Sequence, residues 1–194
     1  MNNKLIVIDG QDRTGKDTLL NDIIKHHPED YIIYRQITCD DAKVDYRDKI
    51  AFTQHQKRLI EKVFNDIKKL KEDNPNKNII CMRLWISDDV YSDMFDREHV
   101  TIQYKEKFEE LFGKENILYF VFLWNSFNDF VWRMQNIKDN HGLNEYSEEE
   151  FQKVKKLFIK YGEKYHSKIY YIENETSPKQ LFNYINSYLK YEGE

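Results

Sequence analysis

The chain has 194 residues, of which 40% are apolar and 33% are charged, and its net charge at pH 7 is −4. This length fits one domain with a continuous core, and the composition excludes a disordered chain. Acidic and basic residues are mixed along the sequence, which argues against binding to a nucleic acid polymer. No apolar run approaches the roughly 20 residues of a membrane span, and no targeting core is recognisable, so we expect a cytoplasmic protein.

Apolar runs typical of buried strands alternate with segments of helical periodicity. The predicted strands cover 4–10, 30–37, 77–85, 116–124 and 168–173. The predicted helices cover 15–27, 50–73, 100–113, 126–137, 147–166 and 177–191. Ser147 and Glu150 form a capping-box pattern, Pro178 lies in the first turn of the last helix, and Gly113 is a C-cap candidate. Strands that are apolar throughout are buried on both faces. The pattern therefore predicts an α/β fold of three layers, with a five-stranded, mostly parallel sheet between helices.

The first predicted strand runs directly into a Gly-x-x-x-x-Gly-Lys pattern that ends at Lys16. The pattern lies between a predicted strand and a predicted helix. In this context the backbone N–H groups of the loop wrap a phosphate chain. Lys16 would reach the terminal phosphates as a point charge. The predicted nucleotide-binding residues are Gly10, Gln11, Asp12, Arg13, Thr14, Gly15, Lys16, Asp17 and Thr18.

Asp17 stands where such a loop normally has Ser or Thr. A carboxylate beside phosphates is repelled unless a cation lies between them, and Mg²⁺ accepts carboxylate oxygens as ligands. We therefore expect Asp17 to bind Mg²⁺ directly or through water. The alternative, that Asp17 faces away and Thr18 takes this role, stays open.

The segment DGQDRTGKDT (9–18) resembles the phosphate-binding loop of thymidylate kinases, which often reads Glu-Gly-x-Asp-Arg-x-Gly-Lys-Ser-Thr. Its Gly-Lys-Asp-Thr ending is similar to that of some phage deoxynucleoside monophosphate kinases. The resemblance implies a P-loop kinase fold, one domain over 1–194 and a short helical lid at about 133–147. It also implies that Asp12 bonds the 3′-hydroxyl of the acceptor deoxyribose and that Arg13 clamps the transferring phosphoryl group, a role suited to an arginine fork.

Two more segments extend the resemblance to the acceptor phosphate and sugar. Arg35 sits where the family has an arginine after the second strand, and would hold the acceptor phosphate. CMRLWISDDVYSDMF (81–95) resembles the family's Asp-Arg-Tyr segment. By this resemblance Arg83 would also bind the acceptor phosphate. Tyr91 matches an aromatic residue that packs against the deoxyribose and leaves little room for a 2′-hydroxyl. Lys16, Arg13 and Arg83 are thus the expected catalytic residues.

The base and the lid are matched less closely. In AFTQHQKR (51–58), Phe52 resembles the residue that stacks on the base, but Gln56 stands where the family has a base-binding arginine. Thymine preference is therefore open. The lid segment contributes Arg133 and Lys138 as its positive charges, and Arg133 is expected to contact ATP. A family subtype with an arginine in the phosphate loop needs few lid cations.

Met82 replaces the acid that the family has before the arginine of the third strand. That acid can hold magnesium waters or act as a base, so its role falls to Asp9, to Asp17 or to no residue. A phosphate acceptor is already ionised and needs no base. Met82 therefore favours a deoxynucleoside monophosphate kinase that uses ATP and Mg²⁺, with dTMP as the expected acceptor.

Two alternatives remain: a deoxynucleoside kinase, and a non-catalytic P-loop protein that only binds a nucleotide. The expected partners are small-molecule nucleotides rather than nucleic acid polymers or membranes. The homodimer usual in this family is left open by the sequence.

Overall fold

The structure is a computed structural model that describes residues 3–35, 44–45, 48–136 and 147–190. The strands in these ranges are β1 Leu5–Gly10, β2 Tyr31–Tyr34, β3 Asn78–Met82, β4 Ile117–Trp124 and β5 Lys168–Ile172. The α-helices are α1 Lys16–His26, α2 Lys49–Asp73, α3 Trp85–Phe95, α4 Lys105–Phe112, α5 Phe127–Asn136, α6 Glu148–Lys164 and α7 Pro178–Lys190. Among the described residues, no helix has the length and apolar character needed to cross a membrane.

The five strands form one sheet in the order β2-β3-β1-β4-β5, and every pairing is parallel. β1 is the central strand and pairs with both β3 and β4. Because all strands run the same way, their carboxyl ends meet at one edge, which is where α/β sheets bind ligands. The prediction of a five-stranded, mostly parallel sheet is confirmed.

Helices cover both faces of the sheet, as predicted. Alternate residues of β1 point to opposite faces: Leu5 and Val7 pack with α2, α3 and α6, whereas Ile6 and Ile8 pack with α1 and α7. Both cores are continuous across the sheet, and all six residues of β1 are buried. The central strand, which leads into the loop, is therefore packed between two apolar clusters.

Helix α3 was not predicted, and the strand predicted over 77–85 ends at Met82. The reason is that α3 turns polar side chains inward, so its sequence lacks an apolar stripe. Ser87, Asp89 and Ser92 are all buried. Asp89 accepts hydrogen bonds from Tyr165 Oη at 2.6 Å and from His99 Nδ1 at 2.6 Å, which satisfies its charge inside the α3–α6 interface.

Several helix ends follow the sequence signals. Ser147 and Glu150 form the capping box before α6, α7 begins at Pro178, and Gly113 ends α4. The segment predicted as one helix over 100–113 is divided into a short 3-10 turn at Ile102–Tyr104 and α4. Residues 137–146, which include Lys138 and most of the predicted lid, lie outside the described residues.

Candidate active site

The loop between β1 and α1 passes directly against β4. Gly10 has a φ of +132°, and a Cβ atom at this position would lie 2.0 Å from the carbonyl oxygen of Phe122. The N–H of Gln11 donates to the same oxygen at 3.0 Å. Only glycine can occupy position 10, because both the backbone angle and the close approach exclude a side chain.

Lys16 lies at the start of α1, and the loop folds around its ammonium group. Its Nζ donates to the carbonyl oxygens of Gly10 at 3.0 Å and Gln11 at 2.6 Å, and to Thr14 Oγ1 at 3.1 Å. Burial lowers the pKa of Lys16 to about 8, and the charge of Arg83 acts in the same direction. The structure thus places a buried cation at the centre of the predicted phosphate loop.

Asp9 lies beside Lys16 at the end of β1 and is completely buried. Ser87 on α3 donates its hydroxyl hydrogen to Oδ1, while Oδ2 has no hydrogen-bond partner among the described residues. Burial raises the pKa of the Asp9 carboxyl above its ordinary value, although the bond from Ser87 and the charge of Lys16 oppose this. Asp9 is therefore a buried acid with one oxygen unsatisfied, next to the loop.

Asp12, Arg83 and Tyr91 meet on the other side of the loop. Arg83 Nη2 donates to Asp12 Oδ1 at 3.0 Å, and Tyr91 Oη donates to Asp12 Oδ2 at 3.5 Å. Arg83 has a left-handed backbone, with φ +56°, and its N–H donates to the carbonyl oxygen of Ile8 at 3.1 Å. This turn directs the side chain away from the strand and toward Asp12. Three sequence-predicted residues from two separate segments, 9–18 and 81–95, are thus brought into contact.

A small, shallow cleft, partly open to solvent, adjoins this cluster. It is lined by Gln11, Asp12, Tyr91, Trp124, Phe130, Phe151 and Val154. The Gln11 side chain fixes two of its walls, since Oε1 accepts from the N–H of Trp124 at 3.0 Å and Nε2 donates to the carbonyl of Phe151 at 3.5 Å. Trp124 Nε1 also donates to the carbonyl oxygen of Asp12 at 3.0 Å. Four of the seven lining residues are aromatic, so the cleft presents flat apolar surface beside the phosphate loop.

Asp17 and Arg35 lie together at the exposed start of α1. Arg35 Nη1 is 3.6 Å from Asp17 Oδ1, and Arg35 Nη2 donates to Asn21 Oδ1 at 2.6 Å. The Asp17 side chain is 71% exposed, and Thr18 beside it is exposed as well. Both oxygen donors that the sequence proposes for Mg²⁺ are therefore accessible from solvent.

The chemistry of these donors fits Mg²⁺, which prefers carboxylate and hydroxyl oxygens. Among the described residues, the only three potential metal-ligating side chains that lie close together are His27, Glu29 and Asp30, at the opposite edge of the sheet. Within the described part of the chain, neither Asp9 nor Asp17 forms such a cluster. An ion at the loop would take most of its ligands from water and substrate phosphates, as Mg²⁺ commonly does.

The two residues predicted to contact the base lie one turn apart on α2. Phe52 is buried, and the guanidinium carbon of Arg97 lies 3.7 Å from the centroid of its ring. Gln56 is half-buried. A base that stacked on this face of Phe52 would have to displace Arg97.

The two remaining arginines of the predicted site lie on different elements. Arg13 is in the loop and has a left-handed backbone with φ +63°. Arg133 is on α5, where its Nε is buried without a hydrogen-bond partner among the described residues. Burial lowers the pKa of Arg133 below its ordinary value.

Sequence reasoning missed Ser87, Phe151 and Arg97. Ser87 and Arg97 are held in place by α3, the helix that was not predicted, so no pattern indicated them. Phe151 was placed in a helix correctly, but nothing in the sequence indicated that Gln11 would bind its carbonyl group. The position of Trp124 at the carboxyl end of a strand was the one signal for this wall of the cleft.

No protein-family model and no curated protein matches the amino-acid sequence. Solved structures do match the fold. The YorR protein from Bacillus subtilis, in complex with phosphorylated GDP, is 17% identical with a TM-score of 0.63, over 97% of this chain and 96% of that one. Deoxyadenosine kinase from M. mycoides with bound dATP is 20% identical with a TM-score of 0.56, over 96% and 99%. Thymidylate kinase from Ehrlichia chaffeensis is 12% identical with a TM-score of 0.55, over 98% and 100%. The chain therefore has the α/β fold of these three proteins.

Proposed function

We propose that the protein transfers the γ-phosphoryl group of ATP to a deoxynucleoside monophosphate, with dTMP as the expected acceptor. The observation that carries this proposal is the position of Asp12. It belongs to the loop that wraps Lys16, and its carboxylate also contacts Arg83 and Tyr91. A donor phosphate bound at Lys16 and an acceptor phosphate bound at Arg83 would therefore lie close together, with Asp12 beside both.

In the proposed reaction, an oxygen of the acceptor phosphate attacks the γ-phosphorus, the bond to the β,γ-bridging oxygen breaks, and ADP leaves. The protein's contribution is positioning and stabilisation of the charge spread over the transferring group. Lys16 would bind the β- and γ-phosphates, Arg13 the transferring group, and Arg83 and Arg35 the acceptor phosphate. Arg133 on α5 would contact ATP.

Asp17 or Thr18, both exposed at the start of α1, would hold Mg²⁺ beside the phosphates. The bound ion would neutralise charge on the phosphate oxygens. Asp9 is the second proposed acid. Its position behind Lys16 suits an indirect role, in which its charge acts on the lysine.

A deoxynucleoside kinase is the second candidate, and the contacts of Asp12 favour it as well. A nucleoside acceptor presents a neutral 5′-hydroxyl group, which benefits from a general base. The Asp12 carboxylate faces the acceptor side of the site, where Arg83 and Tyr91 orient it. The M. mycoides deoxyadenosine kinase has the same fold.

A substrate panel tests these assignments. The protein is incubated with ATP, Mg²⁺ and each of the four deoxynucleosides and four deoxynucleoside monophosphates, and the nucleotide products are separated by ion-exchange chromatography. We expect diphosphates from one or more monophosphates, and none from the Lys16→Ala variant. Phosphorylation of deoxynucleosides alone would establish the second candidate. ATP binding without any turnover would leave a nucleotide-binding protein and contradict the proposal.

A further inference from the structure

Arg97 is a buried cation that covers one face of Phe52, the residue near which the acceptor base is expected. Its side chain is among the few charged groups that are less than 10% exposed. The guanidinium carbon lies 3.7 Å from the centroid of the Phe52 ring and 4.9 Å from that of Phe95, and Nη2 donates to the carbonyl oxygen of Tyr91 at 2.9 Å. Cation–π contact with two rings and a hydrogen bond to the backbone hold this group in one orientation.

A continuous row of contacts joins Arg97 to the phosphate loop. Asp12 accepts a hydrogen bond from the Tyr91 hydroxyl, and the ring of Tyr91 stacks on that of Phe95 with centroids 6.5 Å apart. Phe95 in turn lies against Arg97, which covers Phe52. Tyr91 and Phe95 are one helical turn apart, so both lie on one face of α3. A nucleotide with its sugar at Tyr91 would extend its base toward Arg97.

The segment that carries Arg97 is fastened to α2 on both sides. Asp96 Oδ2 is 2.7 Å from Lys49 Nζ, and Glu98 Oε2 is 2.9 Å from Lys57 Nζ. These ion pairs are exposed and therefore weak individually. Together they place residues 96–98 along α2, with Arg97 between the two pairs and over Phe52.

We propose that Arg97 selects the acceptor by the group at purine C6 or pyrimidine C4 of its base. It favours guanine and thymine, the carbonyl bases, which carry an oxygen there, over adenine and cytosine, which carry an amino group there. This inference rests on the proposed function and specifies its acceptor. The resemblance expects a base-binding arginine at position 56, but this position holds the uncharged Gln56. In this proposal Arg97, which lies on a different element, provides the positive charge that binds the base.

The discrimination follows from hydrogen-bond chemistry. Arginine carries only donors, so it pairs with guanine O6 and N7 or with thymine O4, but not with the exocyclic amino groups of adenine or cytosine. Glutamine carries one donor and one acceptor side and pairs with adenine N6 and N7. Arg97→Gln should therefore change the ranking of the bases, and not simply weaken all of them.

The test measures kcat/KM for dGMP, dTMP, dAMP and dCMP, and the binding of each by calorimetry, in the wild-type protein and two variants. We expect the wild-type protein to favour at least one carbonyl base over dAMP by tenfold or more. Arg97→Gln should reduce that ratio at least tenfold, whereas Arg97→Lys, which keeps the charge and loses the fork, should reduce it less. Thermal unfolding of each variant is recorded, and if Arg97→Gln does not fold, Arg97→Lys decides the result.

Lys57→Gln is the matched control, because it breaks a contact between the same segment and α2 without touching Phe52. It should leave the ranking of the bases unchanged. An equal loss for all four nucleotides in Arg97→Gln, or a wild-type preference for dAMP, would overturn the inference and leave the proposed function intact. Base-selective binding that depends on Arg97, without turnover of any monophosphate, would overturn the proposed function and leave the inference.

Discussion

The carboxylate of Asp12 and the guanidinium group of Arg83 are joined by a hydrogen bond of 3.0 Å, although 71 positions separate them in the sequence. Arg83 reaches Asp12 because its left-handed backbone turns the chain sharply between β3 and α3. A left-handed conformation is costly for a residue with a side chain and is retained where the surrounding structure requires it. This contact joins the phosphate loop to the expected acceptor site.

Lys16→Ala should reduce turnover by a factor of about 10²–10³ or more, because it removes the cation closest to the transferring phosphate. The fold should remain intact, since the hydrogen bonds of the Lys16 ammonium group to described residues all lie within the loop that surrounds it. Initial rates and thermal unfolding, measured side by side, check both parts. A variant with near wild-type turnover and an unchanged melting temperature would contradict the assignment of the phosphate loop.

The affinity for ATP should fall as the pH rises through about 8. Burial lowers the pKa of Lys16 to about 8, so the lysine is charged below that pH and loses its charge above it. If only the charged form binds ATP, the apparent KM at pH 9 should be about tenfold higher than at pH 7. Lys16→Gln, measured over the same range, should show a weak affinity that does not change between these pH values. An identical slope in both proteins would assign the effect to another group.

Arg13→Ala should lower kcat by about 10³-fold or more while changing the acceptor KM little, because its proposed contact forms mainly in the transition state. Arg83→Ala should instead raise the acceptor KM at least tenfold, since it removes the cation that faces the acceptor and leaves Asp12 without this bond. Steady-state kinetics with the acceptor varied at saturating ATP separate the two effects. The reverse pattern would show that the two roles are exchanged.

Asp17→Asn should raise the Mg²⁺ concentration needed for half-maximal activity, because it removes a negative charge from an oxygen ligand. Asp17→Ser should be tolerated better than Asp17→Leu, since Ser restores the ordinary residue of such loops. The measurement is initial rate against free Mg²⁺ at saturating ATP.

The ion pair between Asp17 and Arg35 requires a control for this experiment. Arg35→Ala breaks the same pair and should raise the acceptor KM without moving the Mg²⁺ midpoint. If the midpoint is the same in all three Asp17 variants and moves in Thr18→Val, then Thr18 is the ligand.

Gly10→Ala should destabilise the protein by about 1–3 kcal/mol and abolish ATP binding, because the added Cβ would overlap the carbonyl oxygen of Phe122 in a strained backbone conformation. Gly15→Ala is the matched control. Its φ is also positive, but no heavy atom lies within 4 Å of an added Cβ, so its cost should be smaller. Thermal unfolding and ATP titration distinguish the two variants, and equal destabilisation would contradict the role of the β4 contact.

The fold was predictable where a local pattern determines it. Continuous apolar runs indicated all five strands, and the signals at Ser147 and Pro178 indicated where α6 and α7 begin. Helix α3 was not predictable, because its inward side chains are polar. Asp89 is buried there with hydrogen bonds from several side chains, among them Tyr165, which is 76 positions away. A hydrogen-bond partner so far away in sequence produces no local periodic pattern from which a helix could be predicted.

The site was predictable to the same extent. The Gly10-to-Lys16 spacing indicated the loop, and the resemblance to kinases indicated Asp12, Arg83 and Tyr91, which the structure brings together. The pairing of Asp17 with Arg35 and the contact of Arg97 with Phe52 could not be predicted. Both are set by the packing of different elements, which the sequence pattern does not specify.

The parallel pairing of β1 also sets the order in which the loop can acquire its shape during synthesis. Leu5 pairs with Ile79 and with Ile117, which are 74 and 112 positions further along the chain (79 − 5 and 117 − 5). Contacts between positions so far apart in sequence form slowly, because a long loop must close before they can stabilise anything. The N–H of Gln11 donates a hydrogen bond to the carbonyl oxygen of Phe122 in β4. The phosphate loop therefore cannot be held in place before β4 has left the ribosome. A nascent chain shorter than this carries every residue of the Gly-x-x-x-x-Gly-Lys pattern and still lacks the surface against which the loop is formed.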